Sequence, residues 1–139
     1  MTVECFLDTN ILVYAAAGHG REETKRKRAL ELIDEADFGL SAQVLQEFYV
    51  TVVRKVEVPL SPEEAVKWVE ALETFPCLPI DSGLVKIAIE ASLRHGLSYW
   101  DGAIIGAAEA LGAKTLYSED MNHGQQYGTV RVYNPFRVR

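Results

Sequence analysis

The chain has 139 residues, 48% of them hydrophobic and 24% charged, proportions that exclude a disordered or fibrous protein and suit one core. Its 14 Lys+Arg against 20 Asp+Glu give a net charge of -6, which argues against polyanion binding over the whole surface but leaves room for a local, metal-neutralised site. Cys5 and Cys77 form no C-x-x-C pair, so neither a zinc knuckle nor a disulfide framework is implied. With no signal peptide and no apolar run long enough to span a bilayer in view, one cytoplasmic domain over 1–139 is the expectation.

Val3 to Leu7 reads as a strand, Asp8-Thr9-Asn10 as a turn, and Ile11 onward as a helix that Gly18-His19-Gly20 breaks. A second helix is expected over 21–36, with Ala29, Leu32, Ile33 and Ala36 inward and the pairs Glu22/Arg26 and Glu23/Lys27 in favourable order. Gly39-Leu40-Ser41 is a brief strand or turn. Val44, Leu45, Phe48 and Val52 then make one helical stripe, with Glu47 and Thr51 on its flank, so that Glu47 can face a cleft.

Ser61-Pro62-Glu63-Glu64 combines a serine cap, a proline at the first helical position and capping-box spacing, and its helix should run to about Thr74. Phe75 to Ile80 is at best a short edge strand, and Asp81 caps a helix that Gly96 ends. The helix after Ser98 is apolar nearly all round and should be interior. Lys114 to Tyr117 and Thr129 to Tyr133 are the last strands, with 118–128 as loop. Alternating strands and helices imply a parallel sheet covered on both faces, with ligands at the carboxyl ends of its strands.

Acids gather at those ends. Asp8 closes the first strand, Asp120 follows the Lys114 to Tyr117 strand, Asp101 opens the interior helix and Glu47 lies on a helix flank. Each has a plain structural alternative: Asp8 as a helix cap, Asp101 at capping-box spacing from Ser98, Glu47 as a solvated helix former, Asp120 in an ordinary polar turn. Glu119 competes with Asp120.

The ordered set Phe6-Leu7-Asp8-Thr9-Asn10-Ile11-Leu12, Gln46-Glu47-Phe48, Tyr99-Trp100-Asp101-Gly102-Ala103-Ile104-Ile105 and Leu116-Tyr117-Ser118-Glu119-Asp120-Met121-Asn122-His123-Gly124-Gln125 resembles the PIN-domain nucleases, in particular the VapC-type toxins of toxin-antitoxin pairs. The resemblance implies a three-layer α/β fold with a central parallel sheet flanked by helices. It also implies a magnesium- or manganese-dependent endoribonuclease cutting single-stranded RNA, working as a homodimer and silenced by a cognate antitoxin. Asp8, Glu47, Asp101 and Asp120 stand at the four acidic positions, as catalytic residues and metal ligands; Asn10 and Ser118 support the first and last. The chemistry suits these residue types, because hard divalent cations take oxygen ligands and an all-acid site fits magnesium or manganese better than zinc.

Two other readings compete. A magnesium-dependent phosphatase or phosphoacceptor would use Asp8 as nucleophile, but Asn10 stands where a phosphatase needs a second acid. A catalytically silent binding module of the same fold is disfavoured by the intact set of acids.

Among the remaining candidates, His123 sits beside the last acid and can be read as substrate-facing or, more simply, solvated. The basic residues Arg21, Lys25, Arg26, Lys27, Arg28, Arg131, Arg137 and Arg139 can steer phosphates or line a solvated face. Tyr14, Tyr49, Trp68 and Trp100 are expected in the core or a dimer interface rather than on RNA.

Overall fold

The computed structural model describes residues 2–137, so Arg139 lies outside the described residues. In chain order the elements are β1 (Cys5–Leu7), α1 (Thr9–Ala17), a 3₁₀ turn (Gly20–Glu22), α2 (Glu23–Glu35), β2 (Phe38–Ser41), α3 (Ala42–Arg54), α4 (Pro62–Leu72), β3 (Cys77–Leu78), α5 (Ser82–His95), α6 (Tyr99–Ala110), β4 (Thr115–Tyr117), β5 (Gln126–Tyr127) and β6 (Val130–Tyr133). The strands form one six-stranded sheet in the order β3-β2-β1-β4-β6-β5. All neighbours pair parallel except β5 with β6. The expected α/β architecture is present, and no described helix is long and apolar enough to cross a membrane.

Phe6, Leu7, Phe38, Leu40, Leu116 and Val132 are essentially fully buried, as strands covered by helices on both faces must be. The chain leaves β1 for β2 on one side while β4 pairs on the other. This places β1 at the point where the strand order reverses, which is where such sheets open a crevice at their carboxyl ends.

Local sequence explains most element boundaries. Ser61 and Glu64 exchange the reciprocal bonds of a capping box, each at 3.1 Å, with Pro62 at the first helical position. Asp81 Oδ1 accepts the Leu84 N–H at 2.8 Å to start α5. Gly96 ends it with φ 65°, a conformation that a side chain disfavours.

Three expectations are corrected. The second helix begins at Glu23, after a 3₁₀ turn, and Arg26 reaches back to Glu23 at i,i+3 through bonds of 2.5 and 3.0 Å, leaving Glu22/Arg26 and Glu23/Lys27 unformed. Within the stretch expected as loop, Gln126–Tyr127 forms the antiparallel strand β5; two residues carry too little alternation to be read as a strand. α4 stops at Leu72 rather than near Thr74.

α6 lies inside the protein, buried from Gly102 through Ala108, and α5 packs along it. Close approach depends on glycine. A Cβ at Gly102 would stand 2.7 Å from both Cβ and the backbone N of Ser92, and one at Gly106 would stand 2.8 Å from Ile87 Cγ2. Alanine gains about 1 kcal/mol in helix propensity, yet overpacking a tight contact costs about 1–3 kcal/mol. Gly102→Ala is therefore expected to lower the denaturant midpoint more than Gly106→Ala, since the Ser92 backbone must shift as a whole whereas a single methyl branch of Ile87 is all that faces Gly106 at close range.

Candidate active site

β1 and β4 pair in register, Leu7 opposite Tyr117, so the residues that follow, Asp8 and Ser118, emerge side by side. The Asp8 N–H donates to the Tyr117 carbonyl at 3.0 Å. The Ser118 hydroxyl donates to Asp8 Oδ2 at 2.7 Å and accepts the N–H groups of Asp120 at 3.2 Å and Met121 at 3.4 Å. Ser118 is wholly buried, so its hydroxyl shapes the turn that carries Asp120 while holding Asp8.

Asp8 does two things at once. Its Oδ1 accepts the Thr9 N–H at 2.7 Å, capping α1, and its Oδ2 faces Ser118 and Asn10. Capping and a site role are thus not alternatives. With only 8% of its surface exposed, desolvation pushes its carboxyl up to about 6. The bonds from Ser118 and Thr9 pull the other way, and the charges of Asp120 and Glu47 push further up.

Asn10, the second residue of α1, links first and last acids. Its Oδ1 accepts the Glu119 N–H at 3.0 Å, which turns the amide nitrogen toward Asp120 Oδ2 at 3.1 Å and Asp8 Oδ2 at 3.4 Å. Glu47, half-buried on α3, accepts from Thr9 Oγ1 at 2.7 Å and from Gln43 Nε2 at 3.3 Å. The Gln43 amide also reaches the Trp100 carbonyl at 3.3 Å, joining α3 to the start of α6. Asp101 is exposed there. Its backbone N–H donates to Ser98 Oγ at 3.1 Å, while Asp101's carboxylate returns no bond, so the capping-box alternative fails.

These acids open onto one cleft of about 1370 Å³, between α1, α3, the 3₁₀ turn and the start of α6. Asp8, Glu47, Asp101 and Asp120 line it together. Among the described residues none of the four forms an ion pair. Glu119 differs: its carboxylate is paired with Lys25 and accepts from the Tyr14 hydroxyl at 2.5 Å. Lys25 also donates to Tyr14 at 3.2 Å and stands 4.9 Å from the Tyr14 ring centroid. Glu119 anchors the turn while Asp120 stays with Asp8 and Asn10.

Among the described residues no three His, Cys, Asp or Glu side chains stand close enough to make a finished ligand shell. The donors still fit a hard divalent ion, which needs only one or two carboxylates and keeps several waters. All are oxygens, their charge is uncompensated, and burial alone leaves Asp8 reluctant to ionise.

Other candidates fall elsewhere. His123 is an exposed loop residue, as the simpler reading expects, and also braces that loop: its Nδ1 accepts the Asn134 N–H at 2.9 Å and its ring tilts against Tyr133, 5.1 Å between centroids. Trp100 is 63% exposed and lines the cleft, so of the two expected placements, core or dimer interface, it does not take the core. Tyr14 lines it too, whereas Trp68 packs beside Phe48. Arg21, Gln46, Thr51 and Lys55 also open onto the cleft. Thr51 could be found in the sequence from its i+4 spacing to Glu47.

A family model described as PIN domain matches residues 5–127. Comparison with curated protein sequences finds no match. Among solved structures, a toxin-antitoxin complex from Klebsiella pneumoniae superposes with TM-score 0.70 at 16% identity, over 97% of this chain and 100% of that one. Mycobacterium tuberculosis VapC20, a toxin that cleaves the sarcin-ricin loop, gives 0.66 at 17% identity, over 84% and 90%. DNA-bound VapBC from Salmonella typhimurium gives 0.66 at 16%, over 96% and 99%.

Proposed function

The chain belongs to the PIN domain family, and we propose that it is a divalent-metal-dependent endoribonuclease, the toxin of a toxin-antitoxin pair, cutting single-stranded regions of RNA. The observation that carries this reading is the set of four acids without an ion pair among the described residues, Asp8, Glu47, Asp101 and Asp120, brought together from separate segments onto one cleft, while the neighbouring acid Glu119 is paired. Carboxylates that only stabilise a fold are normally bonded to cations or solvated singly; four uncompensated ones facing the same cleft repel one another and call for a cation.

Asp8 and Asp120, bridged by Asn10, would hold the ion, with Glu47 and Asp101 facing it from α3 and α6. When bound, a hard divalent cation acidifies water and offsets the negative charge that builds on phosphate during in-line displacement. The chain's own residues do the rest. Ser118 and Asn10 fix the direction of the Asp8 and Asp120 oxygens, Thr9 and Gln43 fix Glu47, and the α1–α3 wall positions the strand. The solved toxin-antitoxin complexes of like fold support an antitoxin partner, which we place across the cleft; the homodimer and the cytoplasmic location rest on the family resemblance alone.

The test is cleavage of a defined single-stranded RNA with magnesium or manganese, comparing wild type, chelator-treated wild type and Asp101→Asn. Metal-dependent cutting lost in both controls is expected, leaving 5′-phosphate and 3′-hydroxyl ends, as the family resemblance implies for attack by water. Undiminished cutting in chelator, or 2′,3′-cyclic phosphate ends, would overturn the mechanism.

A further inference from the structure

The dense basic stretch at 21–28 is mostly spoken for. Lys25 is paired with Glu119, Arg26 with Glu23, and Arg28 lies 3.9 Å from Glu31. Arg21 is different: it is exposed, lines the cleft, and has no hydrogen-bond or ion-pair partner among the described residues. Lys55, the residue that follows α3, is likewise exposed and lines the cleft; its backbone N–H caps α3 on the Thr51 carbonyl, and its ammonium has no hydrogen-bond or ion-pair partner among the described residues. Arg21 and Lys55 are the cleft's only Arg or Lys residues among those described, and they approach it from different walls.

Their placement relative to the acids is regular. α1 starts at Asp8 and ends just before the 3₁₀ turn that holds Arg21; α3 carries Glu47 in its middle and Lys55 just past its end. At 1.5 Å of rise per residue, Glu47 to Lys55 spans about 12 Å and Asp8 to the end of α1 about 13 Å. Each wall therefore carries an acid toward the carboxyl ends of the strands and a cation beyond the far end of its helix. On α1 and α3 between them the lining includes Val13 and Val50, the latter well exposed, beside Gln46 and Thr51. Glu22 and Glu57 also open onto this end, as does His19, but neither glutamate is within ion-pair reach of Arg21 or Lys55.

We propose that Arg21 and Lys55 form a phosphate subsite that grips the RNA backbone a few nucleotides from the bond to be cut, the intervening sugars and bases lying on the stretch between. This rests on the nuclease reading of the acids. A strand whose scissile phosphate lies at Asp8 and Asp120 and which follows the α1–α3 walls arrives at these two cations. Phosphates take guanidinium and ammonium donors in this way, positioning the strand without reading its sequence. An acidic peptide fits less well, because the other end of the same cleft is itself acidic.

The experiment uses the full chain with manganese and a labelled single-stranded RNA long enough to reach both ends of the cleft. For Arg21→Gln/Lys55→Gln the KM should rise about 10- to 100-fold, one charged hydrogen bond being worth about tenfold, with kcat held within about twofold. The dependence of log binding on log salt should become shallower by about 0.7 for each phosphate no longer neutralised. An RNA too short to leave the acidic end should not distinguish variant from wild type. Lys67→Gln, on an exposed face of α4 away from the cleft, removes a positive charge of the same kind and should change nothing.

An unchanged KM in the double variant, with cutting still abolished by chelator and by Asp101→Asn, would overturn the subsite and leave the nuclease standing. An equal loss in Lys67→Gln would overturn it as mere net charge. Unchanged RNA kinetics with weakened binding of a glutamate-rich peptide would assign that end to a protein partner instead. A wild type that neither cuts nor binds any RNA would remove the reading beneath it.

Discussion

Asp8→Asn is expected to lower cleavage on the order of 10³-fold and, in the same molecule, to raise the stability of the metal-free protein. The two effects have one origin. Asp8 is a carboxylate held at 8% exposure beside Asp120 and Glu47, a position that favours a cation at the cost of folding. Asparagine keeps an oxygen to accept the Thr9 N–H that caps α1 and removes the charge. Its amide nitrogen faces donors from Ser118 and Asn10, so part of the gain is given back.

The pH dependence has a definite sign. Burial raises the Asp8 carboxyl from 3.8 to about 6. Below about pH 4 folded and unfolded chains both hold this proton, and the group costs nothing. Between about 4 and 6 the unfolded chain releases it while the folded chain keeps it, so stability falls as pH rises, levelling above about 6 after a loss of roughly 3 kcal/mol. Urea titrations of wild type and Asp8→Asn in chelator check this: the stability difference should be near zero at pH 4 and reach about 1–3 kcal/mol in favour of the variant at pH 7. A variant less stable than wild type at pH 7 would show that the carboxylate, even without metal, is an asset to the fold.

Most of the fold was legible because its signals are local. Ser61, Asp81 and Ser98 start helices by bonding to backbone N–H groups two or three residues inside the helix, and Gly96 ends one by adopting φ 65°. These depend on neighbours in sequence. The dipeptide strand β5 exists only because β6 is there to pair with it, which no window of sequence contains. The same holds for Arg26, whose partner lies at i,i+3 rather than i,i+4 because the 3₁₀ turn delays the helix.

The acids were legible as a set and ambiguous one by one. Whether Asp120 or Glu119 joins Asp8 turns on bonds across about a hundred positions: Lys25 and Tyr14 take the Glu119 side chain, and Asn10 takes its N–H while turning its amide nitrogen to Asp120. Asn10 and Ser118 could be named beforehand only through family resemblance, whereas the structure supplies the reason for both, a register that brings the ends of β1 and β4 together. The cleft-facing places of Trp100 and Lys55 could not be read beforehand for a related reason. An aromatic residue at a helix start and a lysine at a helix end are ordinary until the cleft that joins them is known.

Manganese or magnesium should stabilise the protein strongly, and the loss of that effect should identify the ligands. An ion that binds the folded chain and not the unfolded one adds about 2.7 kcal/mol at one hundred times its Kd, which for a chain of this length raises Tm by roughly 10 °C. The gain has a specific source in Asp8, whose charge opposes folding first through its burial and then through Asp120 and Glu47 beside it, and favours folding once a cation lies among them. Asp8→Asn and Asp120→Asn should therefore melt alike with and without metal. Glu119→Gln should keep the shift, because Glu119 is bonded to Lys25 and Tyr14 and its role is to hold the turn. Thermal melts in chelator and across a manganese series decide the matter without any RNA present. A shift that survives in Asp8→Asn, or one that vanishes in Glu119→Gln but not in Asp120→Asn, would place the cation on a different set of oxygens.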